Sequence, residues 1–383
     1  MKNRNKYFTI VAIAILLKFF LFTFLVNHAP QSRFQSDSVD YLETAQVLVS
    51  HGGFAKTNTD GSLSPEFYRT PGYPVFLAFL LGGLKFSLNG VILLQVLLTI
   101  LTAWITCKAA FLVDPKIVFL SAVIVLYDPP VSIFSLQILA ETLFLFVMAL
   151  FMLSFISYLK NRKFNMITLS ALLLAAATYI RPTSYYLGWL IVIFIIYANI
   201  RVYPKKTIVH ALVFLLIFYS LLGAWQERNY KRFGQKSFCA VVQSSYRYFG
   251  LYKSYSRNKD AESKGMAPAA YYAKTTVRSF LYLMTRPGPF KYFKSKILSA
   301  IGNALAYPWM VFWLAGFIIG FIKCGRNIYY QFNLLIIAYF IAASIGGVSL
   351  LVGERFRVPM IPFIAIISAY GWLGLAKTGL IKE

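Results

Sequence analysis

The sequence predicts an all-α polytopic membrane protein with about ten transmembrane helices, and three features carry this prediction. Of its 383 residues, 58% are hydrophobic and only 13% are charged, whereas a soluble domain carries about 25% charged residues because its surface must be wetted. Ten apolar runs are long enough, or nearly so, to cross a hydrocarbon core of about 30 Å. The Lys and Arg residues cluster in short loops between these runs, as they do in membrane proteins.

The predicted spans follow one another along the chain. They cover 7–27, 90–111, 117–128, 141–159, 165–180, 183–200, 207–225, 305–322, 329–351 and 358–376. A further apolar stretch, 71–86, is short and begins with two prolines, so we expect it to lie along the membrane surface. Every short basic loop then falls on the side of the N-terminus, which the positive-inside rule assigns to the cytoplasm together with the C-terminus.

We expect a single membrane domain over residues 1–383, with no soluble domain after the last span. Two long loops, 28–89 and 226–304, then lie on the outer side. Within the first loop, residues 36–54 place apolar side chains at helical intervals, and Gly52 and Gly53 follow as a stop signal. The sequence therefore predicts a surface-lying helix here, with Ser36 as its N-cap.

Several classes of function are disfavoured by the composition. The net charge is +25, but apolar runs separate the basic residues, so we expect anionic lipid or phosphate-bearing partners and no nucleic acid. The sequence contains no Walker loop, dinucleotide-binding glycine pattern, HExxH or GxSxG. The three cysteines and three histidines lack metal-ligand spacing. We therefore expect no cofactor and no His-based metal site, while a divalent metal stays open.

Acidic residues mark the outer ends of the predicted helices. Asp37 and Asp40 fall on one face at the start of the surface-lying helix, where a carboxylate can accept a proton from an attacking hydroxyl. Acids in a first helical turn also stabilise the helix dipole, and spacing alone favours that simpler role. Glu141 lies at the outer end of a predicted span, where a carboxylate needs a partner or a polar cavity.

Arginines occur at the same outer edge. A pocket for an anionic lipid would use them, because Arg binds phosphate bidentately. An arginine at the interface can instead anchor lipid headgroups, and both roles stay open. The candidate substrate-binding residues are these arginines together with Glu141 and Tyr73 of the same edge. The full set is Arg69, Tyr73, Glu141, Arg181, Arg228, Arg355 and Arg357.

Six short motifs occur in a fixed order along the chain. They are Asp37-Ser-x-Asp40-Tyr41, Arg69-Thr-Pro-Gly-Tyr-Pro74, Ala140-Glu141-Thr-Leu, Arg181-Pro-Thr, Trp225-x-x-Arg228-Asn-Tyr and Glu354-Arg355-Phe-Arg357-Val-Pro359. From the first span to the last, this set resembles the membrane-embedded GT-C glycosyltransferases. It is most similar to bacterial members related to the dolichyl-phosphate-mannose protein mannosyltransferases and to the aminoarabinose transferase of lipid A.

The resemblance implies an enzyme that takes a sugar from a polyprenyl-phosphate carrier and passes it to a glycan, lipid or protein acceptor. It implies that Asp37 is the catalytic base, that arginines bind the carrier phosphate, and that the first outer loop carries surface-lying helices. Many relatives have an Asp-Glu pair where this chain has Asp37-Ser38, so Asp40 can share or take the role of base. Many also have a C-terminal soluble domain, which we do not expect here.

We therefore expect a glycosyltransferase of the plasma (inner) membrane with an extracytoplasmic active site and inversion at the anomeric carbon. Its partners would be the lipid-linked donor, the acceptor and membrane lipids. The alternative is a transporter or flippase of a lipid-linked sugar, which would need polar residues near the bilayer midplane in both halves of the chain. A non-catalytic assembly protein would need no acids and arginines at one rim. The sequence does not identify the sugar or the acceptor.

Overall fold

The computed structural model describes residues 2–240, 242, 259, 262–288, 296–347 and 353–376. Most of these residues are helical, and one short antiparallel hairpin pairs β1 Ala55–Thr57 with β2 Leu63–Pro65. Parts of the predicted outer loop 226–304, the last residues of the predicted span 329–351, and the C-terminal residues 377–383 lie outside this description.

The described helices follow the chain in the order of the predicted spans. They are α1 Lys2–His28, α2 Ser36–His51, α3 Gly72–Ala78, α4 Leu88–Val113, α5 Val118–Tyr127, α6 Pro129–Phe134, α7 Glu141–Asn161, α8 Phe164–Ile180, α9 Leu187–Asn199, α10 Pro204–Phe233, α11 Pro268–Thr285, α12 Lys296–Lys323, α13 Ile328–Gly347 and α14 Ile361–Ala376. Short 3-10 turns occupy Pro30–Arg33, Pro115–Ile117, Pro182–Ser184 and Glu354–Met360.

Eight of the described helical segments are long and apolar enough to cross a bilayer, and the protein is a polytopic membrane protein. The other two predicted spans, 117–128 and 165–180, correspond to the shorter apolar helices α5 and α8. Prolines explain their length, because proline has no backbone N–H and disfavours helical conformation in the residue before it. Pro129 follows α5 and Pro182 follows α8, in each case after one residue.

The ambiguous stretch 71–86 forms a short helix. The seven residues of α3 continue into a π-helical turn of five residues, Phe79–Gly83. Together they extend about 18 Å, which is too short for a hydrocarbon core of about 30 Å. This length agrees with the expectation that the stretch does not cross the membrane.

Small residues let α12 and α14 pack closely. A Cβ added to Gly371 would lie 1.9 Å from the carbonyl oxygen of Gly316, and one added to Gly320 would lie 2.1 Å from that of Ile367. Gly316 and Gly320 are one helical turn apart, which is the small-xxx-small spacing of closely packed membrane helices. Nearby, the Ser368 hydroxyl donates a hydrogen bond of 2.8 Å to the Trp313 carbonyl.

Helix α2 confirms the predicted helix in the first loop, with one correction at its start. Its N-cap is Gln35 rather than Ser36, because a reciprocal capping box joins Gln35 to Ser38. The Ser38 hydroxyl also donates a hydrogen bond of 2.8 Å to the Ile138 carbonyl in the segment before α7. Gly52 ends the helix with φ of 67°, as the stop signal predicted. Ser38 thus fixes the start of α2 beside the start of α7.

Candidate active site

Eight charged side chains meet at one end of the helix bundle. They come from the start of α2, the hairpin, the loop before α3, the start of α7, the end of α8 and the 3-10 turn before α14. We call them the charged cluster: Asp37, Asp40, Lys56, Glu66, Arg69, Glu141, Arg181 and Arg355. Four are acidic and four are basic, so the cluster is formally neutral.

Asp37 lies between two guanidinium groups. Its Oδ1 accepts a hydrogen bond of 2.8 Å from Arg69 Nη2, and its Oδ2 lies 2.7 Å from Arg355 Nη2. The side chains of Asp37, Arg69 and Arg355 are 20%, 16% and 24% exposed. A ligand can therefore reach this triplet, as it can reach Asp40 and Lys56, whose side chains are 30% and 25% exposed.

Arg69 is held on several sides. Its Nε and Nη2 both donate to Asp40 Oδ2, at 3.0 and 2.8 Å. The guanidinium lies over the rings of Tyr41 and Tyr68, 5.1 and 4.9 Å from their centroids. The Glu66 carboxylate accepts hydrogen bonds from the backbone N–H groups of Tyr68 and Arg69. These contacts fix both the backbone and the side chain of Arg69.

Glu141 forms the buried floor of the charged cluster. Its side chain is fully buried, and its Oε1 accepts hydrogen bonds from Arg181 Nη1 and Arg355 Nε. Its Oε2 has no hydrogen-bond partner among the described residues. Glu141 is the first residue of α7, where the helix dipole favours a negative charge. The partner that an acid near hydrocarbon requires is thus a pair of arginines.

The electrostatics keep the exposed acids ionised. Burial raises the pKa of the Asp37 carboxyl, but the Arg355 and Arg69 guanidiniums lower it by more, so the pKa lies below its usual value. Burial likewise raises the pKa of Asp40, and hydrogen bonds from Lys56 and Arg69 lower it by more. Both carboxylates are therefore negatively charged at neutral pH.

The Pro-Gly-Tyr-Pro turn holds the loop of Arg69 against the end of α8. The Thr70 hydroxyl donates to the Ile180 carbonyl at 3.0 Å, and a Cβ added to Gly72 would lie 2.7 Å from the backbone of Tyr179 and Ile180. Tyr73 is fully buried below this loop and donates a hydrogen bond of 2.8 Å to Gln95. Only glycine allows this close contact between the loop that carries Arg69 and the end of α8.

The structure thus brings six of the nine predicted site residues into one cluster, and Tyr73 lies below them. The other two arginines have different contacts. Arg228 donates to the backbone carbonyls of Glu66 and Phe54 and lies over the Trp225 ring. Arg357 is fully buried and donates to backbone carbonyls at the end of α11, those of Leu283, Met284 and Arg286. Among the described residues neither guanidinium forms an ion pair with a side chain of the charged cluster, and Arg228 contacts only the backbone of Glu66 there.

Lys56 and Glu66 belong to the cluster but were not predicted as site residues. The Lys56 ammonium lies 2.8 Å from Asp40 Oδ1 and 3.1 Å from Glu66 Oε2. Burial lowers the pKa of Lys56, but the two acids raise it by more. No sequence motif marks this lysine, because only the pairing of the hairpin strands places it beside α2.

The charged cluster does not fit a divalent metal. Such ions take several oxygen or nitrogen ligands, and in the described ranges no three His, Cys, Asp or Glu side chains are grouped to supply them. The carboxylates of the cluster are already paired with Lys and Arg, so a cation would lie beside positive charges. Our prediction of no cofactor, which left a divalent metal open, stays a prediction.

Comparisons with known proteins identify the fold. No family model matches the chain, and no curated protein matches it. The oligosaccharyltransferase AglB of Archaeoglobus fulgidus, solved with an inhibitory peptide and a dolichol-phosphate, is similar with a TM-score of 0.58 and 13% identity. The match covers 98% of this chain and 51% of that one.

A structure of the Archaeoglobus fulgidus oligosaccharyltransferase with Zn and sulfate is similar with a TM-score of 0.56 and 15% identity, over 97% of this chain and 49% of that one. The chain thus spans about half the length of the solved structures that it matches. It has the GT-C fold of membrane-embedded glycosyltransferases.

Proposed function

We propose that the protein is an integral-membrane glycosyltransferase that moves a sugar from a polyprenyl-phosphate carrier to an acceptor hydroxyl on the extracytoplasmic face. The observation that carries this proposal is the position of Asp37, a partly exposed carboxylate between two arginines at one end of the bundle. A sugar linked to a lipid phosphate needs both a base for the acceptor and cations for the leaving group.

The fold supports the choice of donor. One of the similar structures contains a dolichol-phosphate, which is a polyprenyl monophosphate. In this chain the partly exposed guanidiniums of Arg69 and Arg355 lie on either side of Asp37, and arginine binds phosphate in a planar, bidentate manner. A single phosphate can be neutralised by two guanidiniums, so the reaction needs no metal.

The reaction then follows from the positions of these groups. The acceptor oxygen attacks the anomeric carbon while its proton passes to the Asp37 carboxylate. The bond between the anomeric carbon and the phosphate oxygen breaks, and the leaving carrier phosphate gains negative charge that Arg69 and Arg355 stabilise. A single displacement of this kind inverts the configuration at the anomeric carbon. Asp40 and Glu141 hold the two arginines in place.

The test is transfer by purified protein incubated with a lipid extract that contains polyprenyl-phosphate sugars. Mass spectrometry should detect the free polyprenyl phosphate and a glycosylated acceptor. Asp37→Asn keeps the shape of the side chain but removes the proton acceptor, so turnover should fall by about 100-fold or more.

Asp60→Asn is the control, because Asp60 is an exposed acid whose Oδ1 accepts its described hydrogen bonds from Ser62 in the hairpin turn. That variant should keep full turnover. Normal turnover in Asp37→Asn together with loss in Asp40→Asn would assign the base to Asp40. Movement of intact donor across the membrane, with no transfer product, would instead indicate the transporter.

A further inference from the structure

We propose that the carrier phosphate replaces Asp37 as the partner of Arg69 and Arg355 when it binds, and thereby frees Asp37 to act as the base. This inference rests on the proposed function and adds to it the order in which donor binding and deprotonation of the acceptor occur. The donor must bind before the acceptor hydroxyl can lose its proton, so the substrate itself activates the carboxylate.

The first argument is that Asp37 is a poor base in the arrangement described. Each of its oxygens is engaged by a different guanidinium, Oδ1 by Arg69 and Oδ2 by Arg355. A carboxylate paired with two cations holds a proton weakly. Each carboxylate oxygen can accept one further hydrogen bond, so Asp37 is weakened as a base by its pairing with two cations and not by a lack of room for the acceptor hydroxyl.

The second argument is that each arginine has another carboxylate that keeps it in place. Arg69 donates two hydrogen bonds to Asp40, and Arg355 donates from Nε to Glu141. If Asp37 leaves, neither guanidinium becomes free to move into solvent. Both stay oriented toward the position between them, where a tetrahedral phosphate presents several acceptor oxygens.

The third argument is the charge balance. The cluster has four acids and four bases, and a bound phosphodiester adds one negative charge. That excess favours protonation of a carboxylate that has lost its cations, which is the change that a general base requires. Asp37 is suited to this change because its side chain is 20% exposed, whereas that of Glu141 is fully buried between Arg181 and Arg355.

The steps balance in atoms and charge. The phosphate oxygens first replace the Asp37 oxygens on Arg69 and Arg355. The acceptor O–H then donates its proton to Asp37, the acceptor oxygen forms a bond to the anomeric carbon, and the bond from that carbon to the phosphate oxygen breaks. The carrier departs as a phosphate monoester paired with the two arginines. Asp37 loses its proton to water and pairs with the arginines again.

The experiment measures binding of undecaprenyl phosphate, the carrier without its sugar, to the purified protein in detergent, with undecaprenol as the phosphate-free control. Asp37 competes with the phosphate for the two arginines, so Asp37→Asn should bind undecaprenyl phosphate about fivefold to tenfold more tightly than the wild type. The matched control is Asp40→Asn. It makes the same change in charge beside Arg69, but removes the carboxylate that holds that arginine in place, so its binding should not tighten.

Each outcome has a distinct meaning. Equal tightening in both variants would attribute the effect to net charge, and unchanged binding in Asp37→Asn would show that Asp37 does not compete; either result overturns the inference. Wild-type protein that binds undecaprenyl phosphate no better than undecaprenol would refute the proposed donor itself. Asp37→Ser, which also removes the carboxylate, repeats the measurement should the Asn variant lose its thermal unfolding transition.

Discussion

Replacement of Gly72 by alanine should move the loop that carries Arg69 away from the end of α8. A Cβ at this position would lie 2.7 Å from the backbone nitrogen of Ile180 and from the backbone of Tyr179. Ordinary contact begins near 3.4 Å, so the loop before α3 must move away from α8 by about 0.7 Å. The hydrogen bond from Thr70 to the Ile180 carbonyl would lengthen, and Arg69 would shift relative to Arg181 at the end of α8.

We expect a large effect on turnover and a smaller one on stability. Misplacement of catalytic groups by about 1 Å costs about 100-fold in rate, while overpacking costs about 1–3 kcal/mol. The assay compares sugar transfer and thermal unfolding of Gly72→Ala with those of Gly223→Ala. Gly223 lies in α10 with no atom near its added Cβ, so the control should keep both properties. Wild-type turnover in Gly72→Ala would refute the claim that this close contact positions Arg69.

Two further predictions concern packing and topology. Gly371→Ala should lower the thermal unfolding midpoint by several degrees, because its Cβ would overlap the Gly316 carbonyl oxygen; a midpoint equal to that of Gly223→Ala would contradict the close packing of α12 and α14. An impermeant thiol reagent added outside intact cells should label a cysteine at the exposed Thr59 but not one at the exposed Asn161. The opposite pattern would place the charged cluster on the cytoplasmic side.

Much of the fold could be predicted because a bilayer constrains it strongly. Apolar runs and basic loops gave the order of the helices and the short helix of 71–86. The bounds of α5 and α8 agree with the predicted runs 117–128 and 165–180 to within one residue at each end, although both helices are shorter than a straight crossing of about 30 Å requires. The N-cap at Gln35 was missed because its capping box reverses the usual residue types. Glutamine is at the N-cap and Ser38 is at the third helical position, whereas Ser or Thr usually precedes Glu or Gln.

Site residues could be predicted where a charged side chain lies at the end of an apolar helix, because such a position is unfavourable for a charge without a partner. Glu141 and Arg181 lie at the ends of apolar helices, where a charge requires a partner, and each is the partner of the other. The pairing itself could not be read from sequence, because Asp37 and Arg355 lie at opposite ends of the chain. Lys56 was missed for the same reason, since polar loop residues carry no signal of what they will contact.

Arg355 and Arg357 show why spacing alone leaves two roles open. An extended strand would turn their side chains to opposite faces, but both lie in the 3-10 turn Glu354–Met360. With three residues per turn, positions two apart again point in different directions. Arg355 accordingly reaches the charged cluster, while Arg357 binds the last carbonyls of α11. One short turn therefore joins the proposed phosphate contact to α11, so a movement of α11 would be transmitted to Arg355 through only two residues of backbone.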